Sequence, residues 1–334
     1  MASAGRGWRV GKSTVYFLLT IDTEEDHAWS LDFKPHTELT TENIRYLPDF
    51  QAFCNELGIR PTYLIAYPVA VNPEAVSILK RLLQEGHCEV GAHLHPWCNP
   101  PYEEERHVRN SFLNNLPPDL QMKKLYLLTH TIEEQLGVRP VSYRAGRYGF
   151  DASTVPVLER LGYRVDSSVV PYRRARYPYE PAFPITHLHP YPLNQENVCQ
   201  VGNSPILEVP ITVGFTRNIP EWLKRVYPNL PRVGIRKLLR TTTGLDLVWL
   251  RPSYASLNAM LQLAKTVIQS GVPVLNMMFH SSELMPGASP YNQHKADVSR
   301  FLEKIRQFVQ EITAAHSVQF ITLSETYPIF YKTA

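Results

Sequence analysis

Cysteine is scarce in this chain, and its placement carries no chemistry. Four cysteines, Cys54, Cys88, Cys98 and Cys199, are scattered through 334 residues with no CxxC pair. That excludes a disulfide framework and a cysteine-based zinc knuckle, and it fits a reducing compartment. Long apolar runs are missing too. The run Val15–Ile21 is too short to span a bilayer and lacks a well-placed small-residue cleavage site, so it reads as a strand and not as a signal peptide. Charge of one sign is also lacking. A formal net charge of +3 gives no argument for nucleic acid as a partner. The expected protein is soluble and cytoplasmic, with no transmembrane segment; peripheral contact with a membrane surface stays open. The fragment Val10-Gly11-Lys12-Ser13-Thr14 imitates a phosphate loop, but it lacks the earlier glycine and precedes a strand where a phosphate loop follows one.

A hydrophobic fraction of 44% over this length is enough to bury one barrel-sized core. Strand-like runs fall at Val15–Ile21, Thr62–Ala66, Cys88–His93, Val141–Ala145, Tyr163–Ser167, Ile206–Thr212, Val272–His280 and Val318–Leu323. Helical patterns lie between them. Asn72-Pro73 opens one and Gly86 stops it, with Val76, Leu79 and Leu83 as its apolar stripe. Asp151 is placed to cap Ala152–Leu161, ahead of Gly162. Residues 253–270 and 296–315 read as long helices. This alternation predicts an α/β fold, a distorted (β/α) barrel of seven to eight strands in a single domain over 14–330, after an N-terminal arm of residues 1–13. Two stretches break the rhythm and read as loop insertions: 171–204, rich in Pro, Tyr and His, and 216–252, basic and partly helical. Their basic clusters, Arg173, Arg174 and Arg176, then Arg232, Arg236, Lys237 and Arg240, fit a solvated face or a docking surface for phosphate or anionic sugar.

Chemistry concentrates at strand ends. Asp22 and Glu24 are two residues apart after the first strand, so in an extended chain both point the same way. Paired carboxylates there call for a cation or a proton between them. His93 and His95 form an HxH pair after the third strand, a spacing suited to a divalent metal. In a barrel the strand C-termini share one face, which lets both pairs reach one ion. His187-Leu188-His189-Pro190 repeats the HLHP pattern inside the first insertion, as a second metal site, a substrate loop or a rival ligand pair. Arg144 and Asp166 end two further strands and are placed to pair with each other and hold Asp22 ionised. His280 ends the strand before the last long helix.

Taken in order, these clusters resemble the NodB-homology polysaccharide deacetylases, carbohydrate esterase family four, in the branch of exopolysaccharide and cell-surface glycan proteins. The resemblance runs from about residue 14 to 326. It implies a metal-dependent hydrolase that removes N-acetyl groups from amino sugars of a glycan or glycan precursor. It implies Asp22 as catalytic base, Arg144 as the group orienting it, Asp166 as a steadying partner and His280 as general acid. Glu24, His93 and His95 become the ligands of a divalent metal, Zn²⁺ first, with Co²⁺, Mn²⁺, Ni²⁺ or Fe²⁺ as alternatives. Two departures from the family pattern stand out. Thr23 occupies the usual metal-binding aspartate position, and Trp97 occupies that of the second histidine. Arg147 takes the place whose backbone N–H helps hold the oxyanion, beside Tyr148. Trp97, Tyr148 and the loop tyrosines Tyr102, Tyr172, Tyr177, Tyr179 and Tyr191 are expected near the sugar, where flat rings pack on pyranose faces. Two other readings share the residues: a deformylase or cyclic-amide hydrolase using the same centre, and a catalytically inactive glycan-binding relative.

Overall fold

The computed structural model describes residues 14–331 except 27, 31, 32, 185 and 186; of Arg232 it describes the backbone alone. The expected arm over 1–13 lies outside the described residues. The strands are β1 (Thr14–Thr23), β2 (Thr62–Ile65), β3 (Glu89–Leu94), β4 (Ser142–Ala145), β5 (Val165–Asp166), β6 (Tyr191–Pro192), β7 (Leu207–Glu208), β8 (Val213–Phe215), β9 (Leu247–Trp249), β10 (Val274–His280) and β11 (Ser317–Phe320). The helices are α1 (Leu47–Leu57), α2 (Tyr67–Val71), α3 (Pro73–Glu85), α4 (Pro118–Leu136), α5 (Val155–Leu161), α6 (Glu221–Val226), α7 (Lys237–Thr243), α8 (Leu257–Gln269), α9 (Lys295–Ala315) and α10 (Thr326–Phe330).

All eight expected strand runs contain a strand. They join one curled sheet in the order β10-β1-β2-β3-β4-β5-β7-β6, with β11 pairing the start of β1. Every pairing in it is parallel except that of β6, the ninth strand, contributed by the first insertion. Strands β1 to β4 are buried on both faces, as parallel strands under a helical layer must be. The β7 side returns to β10 without a regular ladder. Thr212 N–H donates to Asn276 O at 3.1 Å, and Asn276 N–H donates to Thr212 Oγ1 at 2.8 Å. This stitch, one bond between backbones and one through the Thr212 hydroxyl, joins the β7 side to β10 in place of a ladder and leaves the barrel distorted. The sheet pairs β5 and β7 over only two residues each because side chains take over the backbone's partners. The Asp166 carboxylate accepts from Ser168 N–H, and that of Glu208 accepts from Val169 N–H.

The helix ends follow their sequence signals with two exceptions, one being α8, expected from 253, which begins at Leu257 behind the Ser256 cap. Asn72 accepts from Ala75 N–H at 3.0 Å to open α3, and Gly86 closes it at φ 75°. Asp151 does not cap a helix from 152. It accepts from Ser153 N–H and Oγ in a tight turn, and α5 begins later, at Val155, with Pro156 in its first turn. The second insertion contains α6, α7 and β9, and β9 pairs with β8 in a separate antiparallel ribbon. No helix among the described residues is long and apolar enough to cross a membrane.

Candidate metal centre

Strand register assembles the site. Asp22 lies opposite His280 across β1 and β10, and His93 lies opposite Arg144 across β3 and β4. Asp22, Glu24, His93 and His95 are all buried at the strands' C-terminal ends, at the floor of a cleft of about 1290 Å³.

The imidazoles of His93 and His95 are oriented from behind. His93 Nδ1 faces Arg144 O at 3.0 Å, and His95 Nδ1 faces Glu25 Oε1 at 3.2 Å. Each of those atoms is an acceptor, so Nδ1 carries the proton and each Nε2 presents a lone pair. The two Nε2 atoms are 3.0 Å apart. Glu24 Oε2 lies 3.4 Å from His93 Nε2 and 3.2 Å from His95 Nε2. Three acceptors therefore face one another in a dry pocket, an arrangement that repels itself unless a cation or a proton sits among them. A tetrahedral ion with N and O ligands at about 2.0–2.2 Å has ligand–ligand edges of roughly 3.3–3.5 Å. The observed triangle has nearly that size, and the donor set fits zinc chemistry. Burial raises the Glu24 carboxyl to about 7, with Glu25 and Asp22 adding to the rise and the charged forms of His280 and His95 working against it. Burial lowers the basicity of His93.

Asp22 is held differently. Burial alone would raise its carboxyl, but the Arg144 guanidinium, with His93 and His280, outweighs that and keeps it far below the usual range. Arg144 is fully buried. Its Nη1 donates to Asp22 Oδ1 at 2.6 Å, its Nη2 to Thr20 Oγ1 and Ser167 Oγ, and its Nε to Ser167 O. The expected Arg144–Asp166 pair is not formed. Asp166 instead accepts from Ser168 and shares a buried hydrogen bond with Glu208, whose carboxyl is pushed well up by burial and by Asp166. The two acids lie side by side, and burial pushes both carboxyls up. Asp166 reaches the site only through Ser168, whose Oγ accepts from Ala145 N–H.

His280 Nε2 stands 3.8 Å from Asp22 Oδ2 and 3.7 Å from Glu24 Oε1, across the opening from the histidine pair. Its Nδ1 is flanked by Arg251 Nη2 at 2.9 Å and Glu283 Oε1 at 3.4 Å. Arg251 and Glu283 are themselves bonded at 2.6 Å. Glu283 is positioned to accept Nδ1–H when the ring is charged, and Arg251 keeps Glu283 ionised against the cost of burial.

The walls hold further departures from the sequence reading. Trp97 stacks on His95 at 4.2 Å between ring centres and so holds one face of that imidazole. Gly146 is required there, because a Cβ would come within 2.0 Å of His95 Cδ2. Arg147 and Tyr148 follow at φ 55° and 59°, a left-handed pair that turns both side chains to the cleft and costs backbone strain. Tyr172 also lines the cleft. Tyr102, Tyr177, Tyr179 and Tyr191 do not. Tyr102 pairs with His36, Tyr177 stacks on Tyr179, and the Tyr191 hydroxyl donates to Val198 O. The His187–His189 repeat is also elsewhere, its rings packed against Tyr191 and Phe330.

Several site residues escaped the sequence reading. Glu25 orients His95, Arg251 and Glu283 hold His280, Glu208 pairs with Asp166, and Trp29 packs on His280 at 4.8 Å. Buried Lys124, on α4, donates to the carbonyls of Pro96, Asn99 and Pro101, fastening the loop after His95. Glu208 left a signal, a lone carboxylate inside an apolar run. Lys124 left none, because its partners, three backbone carbonyls and the Glu104 carboxylate at 2.8 Å, are all distant in sequence.

No family model and no curated protein matches the chain. Solved structures do. A protein from Mycobacterium smegmatis assigned as a polysaccharide deacetylase is 17% identical with a TM-score of 0.55, covering 99% of this chain and 94% of that one. One from Parabacteroides distasonis, assigned as a glycoside hydrolase or deacetylase, is 13% identical with a TM-score of 0.56, covering 98% and 74%. The Puue allantoinase is 11% identical with a TM-score of 0.51, covering 98% and 97%. At these identities the likeness concerns architecture, and the chain has the NodB-type polysaccharide deacetylase fold.

Proposed function

We propose that this protein is a metal-dependent hydrolase that removes N-acetyl groups from amino sugars of a cell-surface glycan or its precursor. The observation that carries the reading is the buried triangle of Glu24 Oε2, His93 Nε2 and His95 Nε2, three acceptors within 3.4 Å of one another. Glu24, His93 and His95 would hold a divalent ion, which would supply Lewis acidity to the acetyl carbonyl and the attacking water. Asp22, kept ionised by Arg144, accepts the proton of the attacking water. In this reading a backbone N–H near Arg147 donates to the oxyanion, and His280 delivers a proton to the departing amine. Asp166 acts at one remove, by fixing the segment that holds Arg144. Trp97 and Tyr148 offer ring faces to the sugar.

The cleft favours a sugar over a small cyclic amide. Its volume of about 1290 Å³ exceeds the roughly 300–1,000 Å³ of ordinary small-molecule pockets. The intact acceptor triangle also weighs against an inactive relative.

The test combines metal analysis with acetate release from N-acetylglucosamine oligosaccharides. The wild type is expected to bind about one zinc per chain. Asp22→Asn should keep the metal and lose about 10²–10⁴ in rate, whereas His93→Ala should lose the metal. Full activity in both variants, or hydrolysis of an N-formylated amino sugar while the N-acetyl oligosaccharides stay intact, would overturn the reading.

A further inference from the structure

The second insertion has two apolar faces, and only one is used for folding. Phe215, Tyr227 and Leu245 form a small buried cluster of their own, against which Leu223, Leu230 and Leu239 pack. Facing the other way are Trp222, Val226, Val233, Ile235 and Leu238, between 44% and 85% exposed. Five exposed large apolar side chains within seventeen residues, here termed the ridge, are a concentration that scattered single exposures are not.

Charge says what the ridge meets. Residues 216–246 hold seven Lys or Arg against two acidic residues, a net +5, while the whole chain totals only +3. The rest of the chain therefore totals −2, so this segment carries the whole positive excess. A basic segment with exposed Trp, Val, Ile and Leu is the composition of an element lying in the interface of an anionic bilayer. A protein partner would need acidic complementarity over the same face, which a second copy of this basic segment cannot provide.

The element is also joined to the site. Arg236, Lys237 and Arg240 line the cleft whose floor is the metal centre. Arg173, Arg174 and Arg176 line it from the facing loop, and Arg174 reaches across to Pro228 O at 3.3 Å. One short helix, α7, thus sends Leu238 to the ridge, Leu239 to the small core, and Lys237 and Arg240 to the cleft wall.

We propose that residues 216–246 dock the protein on an anionic membrane surface, and that the cleft takes its N-acetylated sugar as a phosphate-bearing lipid head group held by that cationic wall. The substrate half rests on the deacetylase reading; the docking half does not.

The full chain is pelleted with phosphatidylcholine vesicles and with mixed phosphatidylcholine–phosphatidylglycerol vesicles. It should bind the mixed vesicles, and binding should weaken with salt. The triple variant Trp222→Ser/Val233→Ser/Leu238→Ser should bind at least about tenfold more weakly. Arg236→Gln/Lys237→Gln/Arg240→Gln should bind about a hundredfold more weakly. The apolar variant should match the wild type in acetate release from a water-soluble oligosaccharide, since its three residues lie outside the cleft. Wild type should release acetate at least about tenfold faster from a vesicle-borne N-acetylglucosaminyl diphosphate lipid than from the free sugar. Absence of binding to anionic vesicles, equal binding by the ridge variant, or a stable wild-type dimer that this variant abolishes would overturn docking. Equal rates on the two substrates would overturn the lipid-borne head group. If neither substrate releases acetate, the deacetylase reading and the substrate half fall together, while the pelleting results decide docking alone.

Discussion

Arg144 at the barrel floor is fully buried, and its donors are engaged by Asp22, Thr20 and Ser167. Arg240, on the insertion, has a side chain 60% exposed and approaches Asp246 only at 3.8 Å. The two share a side chain and work in opposite regimes. At the floor a charge has been taken out of water, so every partner must be in place before the ion pair is favourable. On the insertion, water screens the charge, and its value lies in the field it offers an incoming anion. The same contrast holds for apolar groups, which fill the barrel and, on the insertion, partly face outward. One region is built to hold a geometry still. The other presents a surface.

The sharpest way to break that comparison is to remove each arginine's charge. Arg144→Met strands the Asp22 carboxylate in a buried site, and the expected loss is about 3–5 kcal/mol of stability, with turnover abolished. Arg240→Met should change stability by no more than about 0.5 kcal/mol. Thermal and denaturant unfolding measure both. Similar losses at the two positions would mean that the insertion is as tightly integrated as the floor.

How much of this was legible beforehand divides along the same line. Asp22, Glu24, His93 and His95 could be read because strand alternation places residues two apart on one face, and because parallel strands end together. The partners that hold them could not. Glu25 follows Glu24 directly and would face away in a regular strand, yet the chain leaves β1 at Thr23 and turns Glu25 under His95. Arg251 and Glu283 are contributed by segments on either side of β10, and their pairing is a tertiary fact. Asp166 was drawn toward Arg144 by charge alone. Its true partner, Glu208, is another acid, and such pairing arises only where burial makes a shared proton cheaper than two charges. The barrel was readable from periodicity, but the Thr212–Asn276 stitch that joins its β7 side to β10 runs partly through a side chain, to which periodicity is blind.

An intermediate effect separates the floor's proposed metal ligands from its structural acids. In the metal-free protein the Glu24 carboxyl is raised from 4.5 to about 7. The folded state therefore binds a proton that the unfolded state releases, and stability falls as pH rises through that window. An ion requires Glu24 ionised, so its affinity rises over the same range. Adding zinc to chelated protein should raise Tm more at about pH 8 than at about pH 6. The Asp166–Glu208 pair, remote from the ion, should contribute nothing to that difference. An increment independent of pH would remove Glu24 from the ligand set.

The smallest expected effect tests whether the insertion's two apolar faces are distinct. Leu239 packs against the cluster of Phe215, Tyr227 and Leu245, whereas the adjacent Leu238 is 61% exposed. Leu239→Ala should cost the insertion about 1–2 kcal/mol, less than a core leucine, because its site is only partly buried. A cluster with three buried members can open without the barrel, so the cost should appear as faster amide exchange over 216–246 and not as a shift in the global melt. Leu238→Ala should leave both unchanged. Faster exchange in both variants would mean that the outward residues also hold the segment together, and the ridge would then be part of the fold and not a surface left for a partner.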